Sequence, residues 1–347
     1  MGRIISHNRR EIASKRFRFM FYEILPIFAI IFIILVLEWY LLPLILNRST
    51  ALFGVYFYII RALAILLGIM LFLFVSHKLK KKNSRPIKKD LTPYIGFLKL
   101  YKTTKKNYTY QLLYSFLLFF LILIPLEFVI AIGLPETMPL RVFSVVFEND
   151  DSFILFLFYS IIIQLSISFS EETVFRGLIV KRGSEHFNKL SAVMISTLYF
   201  TFAEVFLNPA YFSVSYYIIV IWFVKSFLIG LVLSLTIIRR KWLLPLILAK
   251  SLYSILLSVV VRDYLRGSTL IMPLIIIYSY LLIISLIILI LQFSRVKESL
   301  QIGITMLKTY LKDDIKSKES KGDKLFRILF DIFSAFVVFL LGFLITV

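Results

Sequence analysis

The sequence predicts an all-α polytopic membrane protein of about nine transmembrane helices, and three observations lead there. Hydrophobic residues fill 60% of the 347 positions, where a soluble domain is nearer half. Mean hydropathy is +0.89. The apolar residues also gather into runs near the roughly 20 residues that a helix needs to cross a bilayer, divided by short basic stretches.

The elements follow in chain order. Residues 1–18 are a basic amino-terminal segment with Arg3, Arg9, Arg10, Lys15, Arg16 and Arg18. The apolar run Phe19–Leu46 is too long for the core of a signal peptide and reads as a first span. The opening Met1-Gly2-Arg3-Ile4-Ile5-Ser6 fits the loose myristoylation pattern, but an acyl anchor adds little to a chain held by many spans. Ala51–Ser76 and Tyr110–Leu134 complete an amino-terminal membrane region over 19–134, interrupted by a lysine-dense loop at 77–109. Four closely spaced spans follow, Ser152–Val180, Ser191–Tyr211, Val214–Ile238 and Trp242–Val261, forming a unit over 152–261. The spans on either side of this unit, the third and the eighth, are expected to pack against it. Leu270–Ser294 is a further helix within 262–294. The basic segment 295–327 carries Leu300, Ile304, Leu307 and Leu311 at helical spacing, the pattern of an amphipathic surface helix leading into a tether. Ile328–Val347 is the ninth span, the one least clearly tied to the rest.

Charge sets an expected orientation and excludes some functions. The net charge is +20, and the lysines and arginines sit in alternate connections, where positive-inside sorting and anionic lipid account for them without nucleic acid. The amino terminus and the basic connections are therefore expected in the cytoplasm. The carboxyl terminus and the acidic Glu148–Asp151 loop fall outside, with Arg262 and Arg266 a mild exception. The lysine- and isoleucine-rich composition resembles that of low-GC bacteria, which suggests a multi-pass protein of a bacterial cell membrane. There is no cysteine, and His7, His77 and His186 all lie in basic, loop-like segments. Disulfides and thiolate metal sites are excluded, a histidine zinc site in the membrane is not expected, and no cofactor is implied.

Charges inside the spans are few: Glu38, Arg61, Glu127, Glu171, Glu172, Arg176, Glu204, Lys225, Lys250 and Asp331. At 1.5 Å per helical residue, Glu171 and Lys250 come to roughly 15 and 13 Å from the basic end. Glu204 and Lys225 share a depth of roughly 21–23 Å, and Glu38, Arg61 and Glu127 lie roughly 12–15 Å from the opposite face. Each charge thus has an opposite at similar depth, and ion pairs that fix helix register explain Glu38, Arg61, Glu127 and Glu204–Lys225. Adjacent Glu171 and Glu172 exceed what one pairing needs, which makes them candidates for function.

Three segments then align. The first is Glu171-Glu172-Thr173-Val174-Phe175-Arg176-Gly177, the second Ser196 to Glu204, and the third Lys225 to Leu231 with Trp242 to Ser254. Their order and spacing resemble the CPBP family (CAAX proteases and bacteriocin-processing proteins, also called Abi) of intramembrane endopeptidases, over about a third of the chain. The resemblance implies that Glu171 is a general base activating water on a scissile carbonyl, braced by Glu172 and Arg176. It also implies a histidine in the second motif, and a histidine with Asn or Asp in the third, around the oxyanion.

Here those positions hold Glu204, Lys250 and Ser254. A neutral imidazole donates and accepts, an ionised glutamate only accepts, and a protonated lysine only donates. In one reading Lys250 neutralises Glu171 or Glu172, Glu204 pairs Lys225, and the chain is a membrane scaffold or regulator of a partner membrane or envelope protein. In another, Glu171 and Glu204 share a proton, Lys250 serves the oxyanion, and the chain cleaves a membrane-embedded or bacteriocin-like peptide. The paired charges alone also suggest a transporter.

Overall fold

The computed structural model of the chain describes residues 2–48, 50–83, 93–133, 152–207, 216–265, 271–312 and 320–346. The acidic residues Glu148–Asp151 and the tether after Lys312 lie outside them. The fold is all-α and polytopic: among the described residues eight helical runs are long and apolar enough to cross a membrane, or nine if one sharply bent pair is counted as a span. Among the described residues there is no strand.

Helix α1 (Gly2–Phe19) passes through a π-helical turn at Met20–Ile24 into α2 (Leu25–Ile45). Helix α3 (Ala51–Asn83) returns antiparallel to it. After the short α4 (Pro93–Leu98), α5 (Lys105–Leu118) passes through a second π-helical turn, Phe119–Leu123, into α6 (Ile124–Gly133). Both π turns have the same cause. A proline inside a helix has no N–H to donate and clashes with the carbonyl four residues back. For Pro26 and Pro125 those carbonyls belong to Tyr22 and Leu121, each within its π turn, where the wider coil relieves the clash.

The central unit is α7 (Phe153–Glu172), a ten-residue π stretch at Thr173–Arg182, α8 (Gly183–His186), α9 (Lys189–Phe206), α10 (Tyr216–Arg240) and α11 (Leu244–Leu265). Helix α7 lies against α11 and α3, and α9 lies between α10 and α14 (Lys321–Thr346). Close approach of α9 and α10 requires Gly230, where a Cβ would come within 3.0 Å of the Phe200 ring. Helix α12 (Ile271–Leu291) packs mainly on α6 and the π turn before it, so its principal contacts are with the third span rather than the central unit. Helix α13 (Phe293–Lys312) turns 85° away from α12.

Two segments are more ordered than the sequence suggests. Arg16 is buried, donating to Asp331 at 2.5 Å and to the Ser191 hydroxyl at 3.0 Å, while Arg9 donates to Asp323 at 2.8 Å. These contacts run α1 parallel to α14 and fix the last span to the bundle. In the connection between α3 and α5, residues 93–101 also pack inward. Phe97 and Leu100 are buried, the Leu100 carbonyl accepts from the Leu243 amide at 3.0 Å, and Phe97 fills the space over Gly177, where a Cβ would meet its ring at 3.2 Å.

Candidate intramembrane charge site

Glu171 and Glu172 occupy the last turn of α7, at the junction with the π stretch, and adjacent positions on a helix point to different neighbours. Glu172 turns inward. Its Oε1 accepts from Arg176 Nη1 at 2.9 Å, and both side chains are 0% exposed. Glu171 turns toward α11, where the Lys250 ammonium contacts its Oε2 and lies 3.7 Å from Oε1 of Glu204 on α9. Both pairs adjoin the Phe200 ring, with the Arg176 guanidinium 4.5 Å and the Lys250 ammonium 4.6 Å from its centroid. Each cation thus gains the negative face of one ring in addition to its carboxylate.

Supporting contacts hold the π stretch in place. The Ser196 hydroxyl donates to the Phe175 carbonyl at 2.7 Å, and Tyr101 and Thr173 share a hydrogen bond of 2.6 Å. Burial pushes the Tyr101 phenol up from its ordinary pKa, which keeps it a neutral partner for Thr173.

The cluster is unevenly accessible. Glu172 and Arg176 are sealed, whereas the side chains of Glu171 and Glu204 remain 31% and 27% exposed and that of Lys250 11%. The motif residues alone carry three acids (Glu171, Glu172, Glu204) and two bases (Arg176, Lys250). Arg61 of α3 lies outside these ion pairs. It interacts electrostatically with Glu171, Glu38, Tyr58 and Tyr199, and its Nη2 donates to the Ile345 carbonyl in the last turn of α14. A helix end leaves its last carbonyls without intrahelical partners, and a cation there satisfies one of them and the negative end of the dipole.

Of the six residues singled out from the sequence, five meet here: Glu171, Glu172, Arg176, Glu204 and Lys250. Ser254 stands one turn past Lys250, and its carbonyl accepts from Ser258, whose hydroxyl accepts from Gln164 at 3.1 Å. The expected Glu204–Lys225 pair does not form. Lys225 instead contacts Glu127 of α6, with the side chains 5% and 0% exposed. The reason is rotational. Gly230 faces α9, and five residues at 3.6 per turn place Lys225 about 140° away from it. Depth sets Arg61 beside Glu38 and Glu127, but Glu127 meets Lys225 instead. Among the described residues, no three His, Cys, Asp or Glu side chains are grouped so as to hold a metal ion.

No curated protein and no solved structure matches the chain. Residues 150–256, which hold the ion-paired motif residues of the cluster, match the family described as Rce1-like, type II CAAX prenyl endopeptidase, so over that stretch this all-helical membrane protein is similar to the CPBP intramembrane proteases.

Proposed function

We propose that the protein is a membrane scaffold or regulator built on an intramembrane-protease fold whose site has become an ion-paired cluster. One observation carries this reading: each carboxylate of the motif region has a cation, Glu172 with Arg176, and Glu171 and Glu204 with the shared Lys250. A general base must hold a free lone pair toward a water near the scissile carbonyl. An ammonium on Glu171 occupies a lone pair that a base would turn toward that water. By the family resemblance, Glu204, Lys250 and Ser254 stand where imidazoles and an amide would poise the water and the oxyanion.

The partner is a membrane or envelope protein held within the bilayer. A cleft of about 320 Å³ between α2, α3 and the end of α14 supports this. Its walls include Trp39, Phe57 and Phe343, and Arg61 is its polar lining residue, joining the cleft electrostatically to Glu171. In this reading the basic end of the molecule, with Arg9, Arg182 and Arg239, faces the cytoplasm of a bacterial cell.

The partial exposure of Glu171 and Glu204 favours a second reading, an active peptidase in which the two acids share a proton and Glu171 acts as base. Glu171→Gln separates the two. As a scaffold, the variant leaves Lys250 short of a carboxylate, unfolds more readily, and regains part of the loss when Lys250→Gln is added. As a peptidase, it stays folded and abundant while the processing of some membrane-embedded peptide stops. Loss of such processing without loss of stability would overturn the scaffold reading.

A further inference from the structure

Helix α13 presents four chemically different strips in sequence around its axis. At 3.6 residues per turn, Phe293, Leu300, Ile304 and Leu311 fall within about 40° of one another, and all four are exposed. Gly303 and Tyr310 lie about 90° to one side, where Tyr310 is buried and Gly303 approaches Leu235 of α10. Lys297 and Lys308 lie about 40–60° to the other side, followed by Gln301, Thr305 and Glu298; all of these are exposed. The order around the helix is therefore core, apolar surface, lysines, polar surface.

The pose of the helix is fixed at both ends. Arg239 donates to Ser299 at 3.3 Å near its start. Near its finish the Tyr310 hydroxyl donates to Asp331 at 2.9 Å, and Arg327 donates to the Tyr310 carbonyl at 2.7 Å. Its axis is turned 85° from that of α12, the apolar helix that precedes it, and its start lies beside the basic end of α10 at Arg239.

We infer that α13 is an in-plane interfacial helix that binds the anionic phospholipid of its own bilayer. Phe293, Leu300, Ile304 and Leu311 enter the acyl region, and Lys297 and Lys308 engage the headgroup phosphates. The lysine position is the argument for this occupant. Two ammonium groups on the boundary between an apolar and a polar face match the height of the phosphate layer, where their alkyl stems stay in lipid and their charges reach out. A helix already anchored on the core presents this surface without an ordering cost.

The chain has no cysteine, so a single introduced one takes a label uniquely. The full chain in lipid nanodiscs is labelled with a nitroxide at position 300, 301, 304 or 305 in turn. Oxygen, which partitions into acyl chains, should relax the labels at 300 and 304, and a water-soluble nickel complex those at 301 and 305. A fluorophore at 300 should be quenched preferentially by brominated phosphatidylglycerol over brominated phosphatidylcholine, by about fivefold for each lysine. Lys297→Gln with Lys308→Gln should remove that preference, and added inorganic phosphate should leave it unchanged. Labels at 300 and 304 shielded from both reagents, by a second copy or a protein partner, would overturn the inference. Equal nickel access at all four positions, or a preference that survives the double lysine change, would do the same.

Discussion

Lys250 and Lys225 are both membrane-depth lysines on carboxylates, yet their surroundings differ. Lys225 and Glu127 form a one-to-one pair sealed at 5% and 0% exposure, joining α10 to α6. Lys250 serves two carboxylates that stay 31% and 27% exposed, drawing together three helical segments: the α7 junction, α9 and α11. A sealed pair has one task, to neutralise itself, since an unpaired ion out of water is very unfavourable. An open, shared arrangement has carboxylate surface left over, and that surplus separates a candidate site from a register pin.

The sealed pair should be the harder to break. Glu127→Gln leaves an ammonium among Trp222 and Tyr253, whose rings lie 4.8 and 5.9 Å from it. The expected loss is about 3–5 kcal/mol, the usual consequence of removing one partner of a buried pair. Thermal unfolding of the purified protein in detergent should register it. Replacing both residues, Glu127→Gln with Lys225→Met, should restore most of the loss, because a buried pair and its apolar substitute are often near equal in stability. If Glu127→Gln is tolerated as well as a surface change, the contrast between the two lysines collapses.

Glu171→Gln should follow at about 1–3 kcal/mol, because Lys250 keeps Glu204 at 3.7 Å and the site is open enough for partial solvation. Lys250→Gln added to it should recover part of the loss, whereas Glu204→Gln added to it should deepen it by stripping the ammonium of its second acid. A loss as large as that of Glu127→Gln would mean that the shared site is as tightly sealed as the pin.

Different physical signals determined how much of this was legible. Helix number and position followed from run length, since crossing a bilayer demands a fixed count of apolar residues. Depth brings Lys250 to the level of Glu171 and Glu172, because basic residues mark the end of one span and the start of the other, but it leaves open which of the two acids the ammonium meets. Depth cannot give rotation: it allies Lys225 with Glu204, whereas the Lys225 side of α10 faces Glu127. Nor does it show that a basic terminal segment continues a span. Arg16 reads as a headgroup contact, yet α1 carries it into the bundle to meet Asp331. The π stretch after Glu172 leaves no sequence mark comparable to Pro26 or Pro125, and no residue pattern suggested it.

The Asp331 junction offers a smaller test of the same contrast away from the site. Tyr310→Phe removes one of the donors to Asp331 while Arg16 still holds the carboxylate, so about 1 kcal/mol is expected. The loss should appear in the same melting experiment.

Ser254→Ala should have the smallest effect, within about 0.5 kcal/mol, the range of substitutions away from a special contact. Its backbone carbonyl, which accepts from Ser258, survives the change, and no contact ties its hydroxyl to Glu171, Glu204 or Lys250. The substitution is nonetheless informative, because the family resemblance gives this position an oxyanion role. As a bystander to an ion-paired cluster, Ser254 can lose its hydroxyl without altering either stability or the binding of a partner. If the alanine variant instead lost a cleavage activity at unchanged stability, a hydroxyl one turn from Lys250 would be acting on a reacting oxygen, and the open cluster would have to be read as a working site.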